Sequence, residues 1–519
     1  MPRPQRTAEL MWPRLFKRLD GIAATRQGQV RDMLVQAMMD GFLQPGAALP
    51  ASRVLDKAQG LSRTTVSLAY EALADQGLLQ ARARSGFYVA PSPPTTVAPL
   101  AREPAAREAP TSTQAAWHKT LQIQPSAQSN IAKPSDWQQQ PYPFVFGQFD
   151  ATLFPYRNWR RCVLENIEAR SVRRWAPDHI DRDDSALVEQ IHSRLLPARG
   201  IWVERDQILV TSGAQQALFL LAQLLTGPNT QVGLEEPGYP DARNNFALRG
   251  ARLRALDVDE QGLVPNDKLP GCDWVFVTPS HQCPSTVTLS LQRRHSLLAM
   301  AAAHDFMLIE DDHESELNFT TRPTPALKSL DTQERVVYLG SLSKTLAHGL
   351  RLGFVVGPAA LIAELRALRR LMMRHVPANN QQVAALFIAH GFHEAHVRHM
   401  IQAYRERAAT LRQALARHAP QLHIAPSAGG SALWVSGPEG LDTQALAREA
   451  YRSGVVVEPG AIFHTRDPGP CASMRVGYSS IPNAAIEAGV VALAKHLQTQ
   501  LKAAKRSAAN PGQKSTSTG

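Results

Sequence analysis

Lys344 stands in the stretch GSLSKTLAHGLRLGF, residues 340–354, between Ser343 and Thr345, with Arg351 seven positions on. A mostly apolar run is a costly place for an ammonium, because burial disfavours the charged form and lowers the amine's pKa. A lysine made less basic in this way is a Schiff-base nucleophile toward an aldehyde. An aldehyde cofactor used this way needs four further groups: a carboxylate for a ring nitrogen, a phosphate cup, an aromatic lid, and a cation for a substrate's acid group.

Each has a candidate at a strand end or turn. FMLIEDDHESE closes an apolar strand in carboxylates, and Asp311 at its C-terminal end would point into the crevice where open α/β sheets bind ligands. ILVTSGAQQALFLLAQLL reads as strand, tight turn and helix, so the amides of Ser212, Gly213 and Ala214 would open a helix N-terminus suited to phosphate. Ser341, Ser343 and Arg351 can complete that cup. LEEPGYP puts Tyr239 at a turn, where it could stack on a ring, and ASMRVGYSS offers Arg475, whose fork can grip a carboxylate. Together these groups point to pyridoxal 5′-phosphate (PLP), with Lys344 and Asp311 as the reacting and ring-tuning residues.

The surrounding pattern supplies elements to position them. From about 143 to 500, short apolar strands (QILVTS, QVGLEE, WVFVTP, FMLIEDD, RVVYLG, GFVVG) alternate with longer helical stretches, which predicts an α/β domain around a mostly parallel sheet. Residues 91–142 are rich in Pro, Ala, Ser and Thr and read as a flexible linker; 501–519 reads as a disordered basic tail.

The N-terminal part differs in kind. Val30, Met33, Leu34, Ala37 and Met38 fall on one helix face that Gly41 and Pro45 end. Ser52 can cap a short second helix with Leu55 and Ala58 inward. Ser62 can cap a third, with Val66, Ala69, Tyr70 and Leu73 inward and Gly77 as its stop. LLQARARSGFYVA closes as a hairpin with a tight turn at Ser85-Gly86. Three helices and a hairpin describe a winged helix-turn-helix over residues 20–90. The same pattern also suits a small helical interaction domain with solvated arginines; as a winged helix, it would contact double-stranded DNA through Ser52, Arg53, Ser62, Arg63, Thr64 and Thr65, and through Arg82, Arg84, Ser85 and Gly86 around the wing.

Composition sets outer limits. The chain has 519 residues, too many for one core, and is 44% hydrophobic and 19% charged, as soluble globular proteins are. Net charge is +11. Residues 1–90 hold 12 Lys+Arg against 7 Asp+Glu, which permits nucleic-acid binding. No signal peptide or membrane span is evident. The four scattered cysteines lack the spacing of a disulfide framework or zinc site, so a reducing cytoplasm is expected.

Two resemblances sharpen this. QPGAALPASRVLDKAQGLSRTTVSLAYEALADQGLLQARARSGFYVA resembles the DNA-binding domain of the GntR family, with its PG-x-x-LP-x-SR and SR-x-TV-x-x-AY stretches and SG at the hairpin tip. Residues 143–500 resemble a fold-type I aminotransferase, and the fusion resembles the MocR/GabR subfamily of PLP-dependent transcriptional regulators. The resemblance implies that Lys344 forms the internal aldimine, Asp311 pairs with the pyridine nitrogen, Tyr239 stacks on the ring, Arg351 with Ser341 and Ser343 holds the phosphate, and Arg475 takes an effector's carboxylate. It also implies a head-to-tail homodimer reading two DNA half-sites. His313 stands where the family has a tyrosine near the cofactor's phenolic oxygen; its imidazole titrates near neutrality unless perturbed. Cys283 replaces an asparagine directed at the same oxygen, and Thr286 a glycine.

The function expected is a regulator that senses a small amino compound by exchange at Lys344. Two others remain at this stage: an active aminotransferase with an accessory DNA-binding module, and a DNA-binding protein whose large domain has lost PLP and only dimerises.

Overall fold

The structure is a computed structural model that describes residues 25–52, 55, 61–82, 85–91, 120–148, 150–321, 324–466 and 468–509. The chain forms two compact units, Met1–Trp117 and His118–Gly519.

In the first unit, α1 (Arg26–Met39) is capped by Thr25, whose hydroxyl accepts from the Gly28 amide. α2 (Arg63–Asp75) starts at Ser62, whose Oγ accepts from the Thr65 amide at 3.1 Å. The helix stops at Gln76, and Gly77 follows at φ +72°, the left-handed conformation glycine adopts without strain. Val30, Met33, Leu34 and Ala37 meet Leu55, Val66, Ala69, Tyr70 and Leu73 in one core, with Met38 packed at its margin. Ala58 lies outside the described residues. β1 (Leu79–Arg82) pairs antiparallel with β2 (Gly86–Val89), with Arg82 opposite Gly86. Gly86, expected in the turn, instead begins β2.

The second unit begins before the expected boundary. Of the expected linker, residues 92–119 lie outside the described residues, whereas 120–142 are packed on the large domain. Gln128 Nε2 donates to the Asn244 carbonyl at 2.9 Å, and Tyr451 donates to Asp136 at 2.5 Å. β3 (Tyr142–Pro143) pairs with Val455–Val456. Polar side chains here bond to partners more than a hundred residues away, which local composition does not register. The tail differs too: a helix beginning at Asn483 runs through Ala509, and its Ala-rich end suits a helix.

The central sheet has eight strands: β4 (Ile208–Thr211), β5 (Gln231–Glu236), β6 (Arg252–Asp259), β7 (Gly262–Leu263), β8 (Trp274–Val277), β9 (Met307–Asp311), β10 (Val336–Ser341) and β11 (Gly353–Val356). Their spatial order is β4-β11-β10-β9-β8-β5-β6-β7. β10, β9, β8, β5 and β6 pair parallel in turn, while β11 runs against both neighbours. Both faces of the inner strands are covered, so β4, β8, β9, β10 and β11 are largely apolar, whereas β6 near the edge carries charged residues. Leu209, Ile309, Leu339 and Val355 face one layer, with α4 (Gly213–Leu225) and α5 (Pro240–Leu248). Val210, Tyr338, Phe354 and Val356 alternate to the other, against residues 383–388. A smaller subdomain packs α6 (Phe392–His418) and α7 (Asn483–Ala509) on a four-stranded sheet that includes Ala432–Ser436, Glu458–Pro459 and Ser473–Gly477. Parallel strands put their carboxyl ends at one edge of the sheet. β4, β5, β9 and β10 end there at Thr211, Glu236, Asp311 and Ser341.

Candidate cofactor and DNA sites

Beyond those strand ends lies a cavity of about 240 Å³. Lys344, three residues past β10, reaches into it. Its Nζ lies 4.5 Å from the Phe146 ring centroid. Gly147, at φ +57°, makes room for it: a Cβ there would meet Nζ at 2.6 Å. Burial lowers the Lys344 pKa, Glu314 opposes the shift, and Arg475 adds to it. The amine is thereby brought toward its neutral, nucleophilic form.

Asp311 also lines the cavity. Its Oδ1 is buried and has no hydrogen-bond partner within the protein. Burial, with Asp312 beside it, pushes its pKa up to about 7, Lys344 opposing. Asp312 shows the cause by contrast. Burial works against its charge too, but Arg199 at 2.8 Å, Ser280 and the Tyr338 hydroxyl at 2.9 Å hold its pKa below the usual range. The fixed Asp312 charge falls on a neighbour without such partners. An orphaned carboxyl oxygen on a cavity wall suits a protonated ring nitrogen.

The other walls carry Ala214, Tyr239, Ser341, Ser343 and Arg351. Arg351 Nη2 donates to the Ser212 carbonyl at 3.4 Å. Gly213, at φ +76°, leaves space for that guanidinium, since a Cβ would meet Nη2 at 3.1 Å. The first-turn amides of α4 have no i−4 carbonyl and share this corner with a cation and two hydroxyls. Ser212 departs from expectation. Its amide donates to Gln216 Oε1 at 2.7 Å, so it is occupied, and neither Ser212 nor Gly213 lines the cavity. The Tyr239 hydroxyl donates to Asp241 at 2.9 Å and accepts from Gln215, which fixes the ring beside the wall.

His313 is on the wall with its Nδ1 3.8 Å from Asp311. Burial, with Lys344 and His281 nearby, pushes its pKa down to about 3. It is neutral at physiological pH and does not titrate near 7, as exposed imidazoles do. Cys283 also lines the wall, and burial pushes its thiol up to about 12. Thr286 adopts φ +64°, the backbone that a glycine would take without strain.

Arg475, expected to take an effector's carboxylate, packs directly behind the wall residues Phe146 and Cys283. It is not on the cavity wall. Its Nε donates to Glu458 Oε2 at 2.8 Å, and its guanidinium packs 3.9 Å from the Phe146 centroid. Glu458 belongs to an adjacent strand, and no local motif links it to Arg475. Sequence reasoning also missed Lys133, Phe146, Gln148, Gln215 and His348 on the wall. Only Gln215 had a visible signal, as the first-turn neighbour of Ala214.

In the first unit, Arg63 and Thr64 are exposed at the start of α2. Thr65 is half-buried, and its hydroxyl bonds Ser62 Oγ at 2.7 Å. The Arg82 guanidinium lies 4.2 Å over the Tyr88 ring, and Ser85 Oγ bonds the Tyr88 hydroxyl at 2.6 Å. Gly86 is at φ +98°. Ser52 is in a helical turn; Arg53 and Arg84 lie outside the described residues.

Residues 26–89 match the bacterial regulatory proteins of the gntR family, and residues 178–493 match aminotransferase class I and II. The HTH-type transcriptional regulator TauR of Rhodobacter capsulatus is 38% identical over 474 residues, covering 91% of this chain and 96% of that one. The chain belongs to the MocR-type transcriptional regulators. Its relative of that name, the probable rhizopine catabolism regulatory protein MocR of Rhizobium meliloti, is 30% identical over 90% of this chain and 92% of its own. The α-aminoadipate aminotransferase LysN of Thermus thermophilus, solved with N-(5'-phosphopyridoxyl)-L-leucine, shares the fold. The TM-score is 0.68 at 24% identity, over 75% of this chain and all of that one. This regulator thus joins a GntR-type winged helix to a fold-type I aminotransferase domain. The cavity's amine, the unpartnered Asp311 Oδ1 and the cationic helix terminus fit the cofactor of that class, pyridoxal phosphate.

Proposed function

We propose that this regulator binds DNA through its N-terminal module and senses a small amino compound in the cavity at Lys344. The observation that carries this is the half-buried Lys344 amine, its pKa lowered, in one cavity with the partnerless Asp311 oxygen. Asp311 would hold a protonated ring nitrogen. Tyr239 would cover the ring, and His313 would bond its oxygen as a neutral imidazole. Arg351, Ser341, Ser343 and the first-turn amides of α4 would hold the phosphate. Bound pyridoxal phosphate supplies an aldehyde with which primary amines condense reversibly, so an effector and Lys344 compete for it. Displacement changes what holds the Lys344 loop, and that difference is what the DNA-binding module must read.

We also propose a head-to-tail homodimer that reads two half-sites. Tyr156, Val163 and Leu164 on α3 (Tyr156–Asn166), with Ile167 just past its end, are exposed, as a face covered by a second copy would be in a lone chain. A bacterial cytoplasmic location, on the nucleoid when DNA-bound, fits this reading. Among the described residues no helix is long and apolar enough to cross a membrane, and all four cysteines are free.

The test is the holoprotein with amines added, followed by visible absorbance and DNA binding at fixed salt. The expected result is an amine-dependent change in both, lost in Lys344→Ala. A Lys344→Ala protein that still answers the amine on DNA would sink the reading. Sustained turnover with a keto acid would favour an aminotransferase.

A further inference from the structure

Lys344 lines two cavities. One is the cofactor cavity described above. The other, of about 20 Å³, shares Gln148, Ser343, Lys344 and His348 with it. Its volume is about that of one water, and so of one ammonium head. Glu314 lines this second cavity and has no task in the reading above. It is 4% exposed, and its Oε1 accepts from Ser431 Oγ at 2.6 Å. The residue adopts φ +59°, an uncommon backbone for a residue with a side chain, which persists where surrounding contacts impose it. Two glycines at positive φ leave room for its carboxylate. A Cβ at Gly147 would lie 2.6 Å from Lys344 Nζ and 3.4 Å from Glu314 Oε1, and one at Gly430 would lie 3.2 Å from Oε2. Amine and carboxylate therefore flank the same bare position.

The small cavity's other titratable groups are already engaged or uncharged. Asp150 pairs with Arg407 at 2.5 Å. Burial pushes the His348 and His396 imidazoles down to about 3 and 4, so both are neutral at physiological pH. Burial raises the Tyr404 pKa and keeps its phenol protonated. Glu314 is left as the carboxylate available to a cation there. The two groups also answer each other. Burial lowers the Lys344 pKa, and Glu314 is the largest opposing influence; burial raises the Glu314 pKa, and Lys344 is the largest opposing one. A carboxylate and an ammonium taken out of water are each costly alone and stabilise one another as a pair.

We propose that Glu314 receives the Lys344 ammonium when an amine displaces it, which makes the small cavity the lysine's resting place in the effector-bound protein. This rests on the reading that amines compete with Lys344. In the exchange one C=N bond forms as another breaks, and the three hydrogens of the incoming ammonium end on the lysine it replaces. Lys344 thus leaves as an ammonium that needs a counter-charge, and Asp311 is held for the ring nitrogen. Glu314 touches neither effector nor cofactor and is a positioning residue. Its bond to Ser431 passes the change on. Ser431 precedes the strand Ala432–Ser436 of the smaller subdomain, and its carbonyl accepts from the Tyr478 amide at 2.9 Å.

The test uses the full-length protein and propylamine as the probe. In the holoprotein, visible absorbance follows displacement. Glu314→Gln should raise the propylamine concentration needed roughly 10- to 100-fold, the worth of one charge-assisted hydrogen bond. In the cofactor-free protein, the rate at which trinitrobenzenesulfonate labels Lys344, read by peptide mapping across pH, reports the amine's own titration. Glu314→Gln should move that profile to lower pH, because the carboxylate favours the charged lysine; a purely structural role would leave it in place. Glu314→Asp, which keeps a carboxylate, should lie nearer wild type in both measurements. A propylamine midpoint or a labelling profile that Glu314→Gln leaves unmoved overturns the proposal, as does Glu314→Asp behaving like Glu314→Gln. The underlying reading fails differently: wild-type holoprotein would show no absorbance response to propylamine at all, and the proposal would fall with it.

Discussion

The two units use polar groups in opposite ways. In the small unit the groups placed for DNA point outward, and their own bonds are local: Ser62 caps the helix it starts, and Ser85 bonds Tyr88 three residues on. In the large unit some polar groups on the cavity wall are buried and lack partners. Asp311 Oδ1 and both ring nitrogens of His348 are buried without one. A DNA surface can be satisfied by water until phosphate replaces it. A cavity that withholds partners from buried groups raises the energy of the empty state, and a ligand bringing complementary groups lowers it. The small unit should therefore fail through its core, and the large unit through its ligands.

The largest expected effect tests the first half of that contrast. Leu73 is fully buried among Val30, Tyr70 and the rest of the small core. Leu73→Ala should cost about 2–5 kcal/mol, most of the margin of so small a unit. DNA binding should vanish while the visible absorbance of the holoprotein stays. Loss of both together, followed through thermal unfolding, would show that the units do not behave separately.

Asp311→Asn tests the second half, with a pH signature. A carboxyl whose pKa rises from 3.8 to about 7 on folding keeps its proton over a range where the unfolded chain has lost it. Its contribution is full below the ordinary carboxylate pKa and is lost as pH rises toward 7. The cofactor-free Asp311→Asn protein should match wild type near pH 4, exceed it increasingly up to pH 7, and hold a constant lead above that. The holoprotein should invert the order, because the amide cannot ionise beside a ring nitrogen. Denaturant midpoints across that range, with and without pyridoxal phosphate, decide it. A wild-type lead in the cofactor-free protein at pH 8 would contradict a ligand-awaiting carboxyl.

The same contrast explains what the sequence made legible. Periodicity and capping carry the small unit because its helices and hairpin are encoded locally: Ser62, the Val66–Leu73 face and Gly77 all fell where the pattern put them. Strand ends were legible for the same reason, and Asp311, Tyr239, Ser341, Lys344 and Arg351 meet in one cavity. What stayed hidden depends on pairs distant in the chain. Glu458 claims Arg475, Gln216 claims the Ser212 amide, and Lys133 enters from a stretch whose composition reads as linker. The small departures at His313 and Thr286 were visible as residues, but their consequences came only with burial and a backbone angle.

A smaller effect should separate phosphate contact from core stability. Arg63 is exposed in the first turn of α2 and makes no ion pair among the described residues. Arg63→Ala should weaken DNA binding and reduce the dependence of log affinity on log salt by about one, with little change in unfolding. An unchanged salt slope would remove Arg63 from the DNA surface.

Ser62 gives the smallest and sharpest case, because it has two tasks that can be pulled apart. Its Oγ accepts from the Thr65 amide at 3.1 Å and bonds the Thr65 hydroxyl at 2.7 Å. Both bonds are exposed, so water can replace them, and Ser62→Ala should cost only about 1 kcal/mol. For a unit of this size that corresponds to a midpoint lower by roughly 4–8 °C. Asparagine also caps helices well, so Ser62→Asn should keep the midpoint. Equal DNA affinity for wild type and Ser62→Asn would make Ser62 a cap alone. A selective loss of affinity at unchanged stability would place its hydroxyl against DNA, where its short, rotatable oxygen does what the bulkier amide cannot.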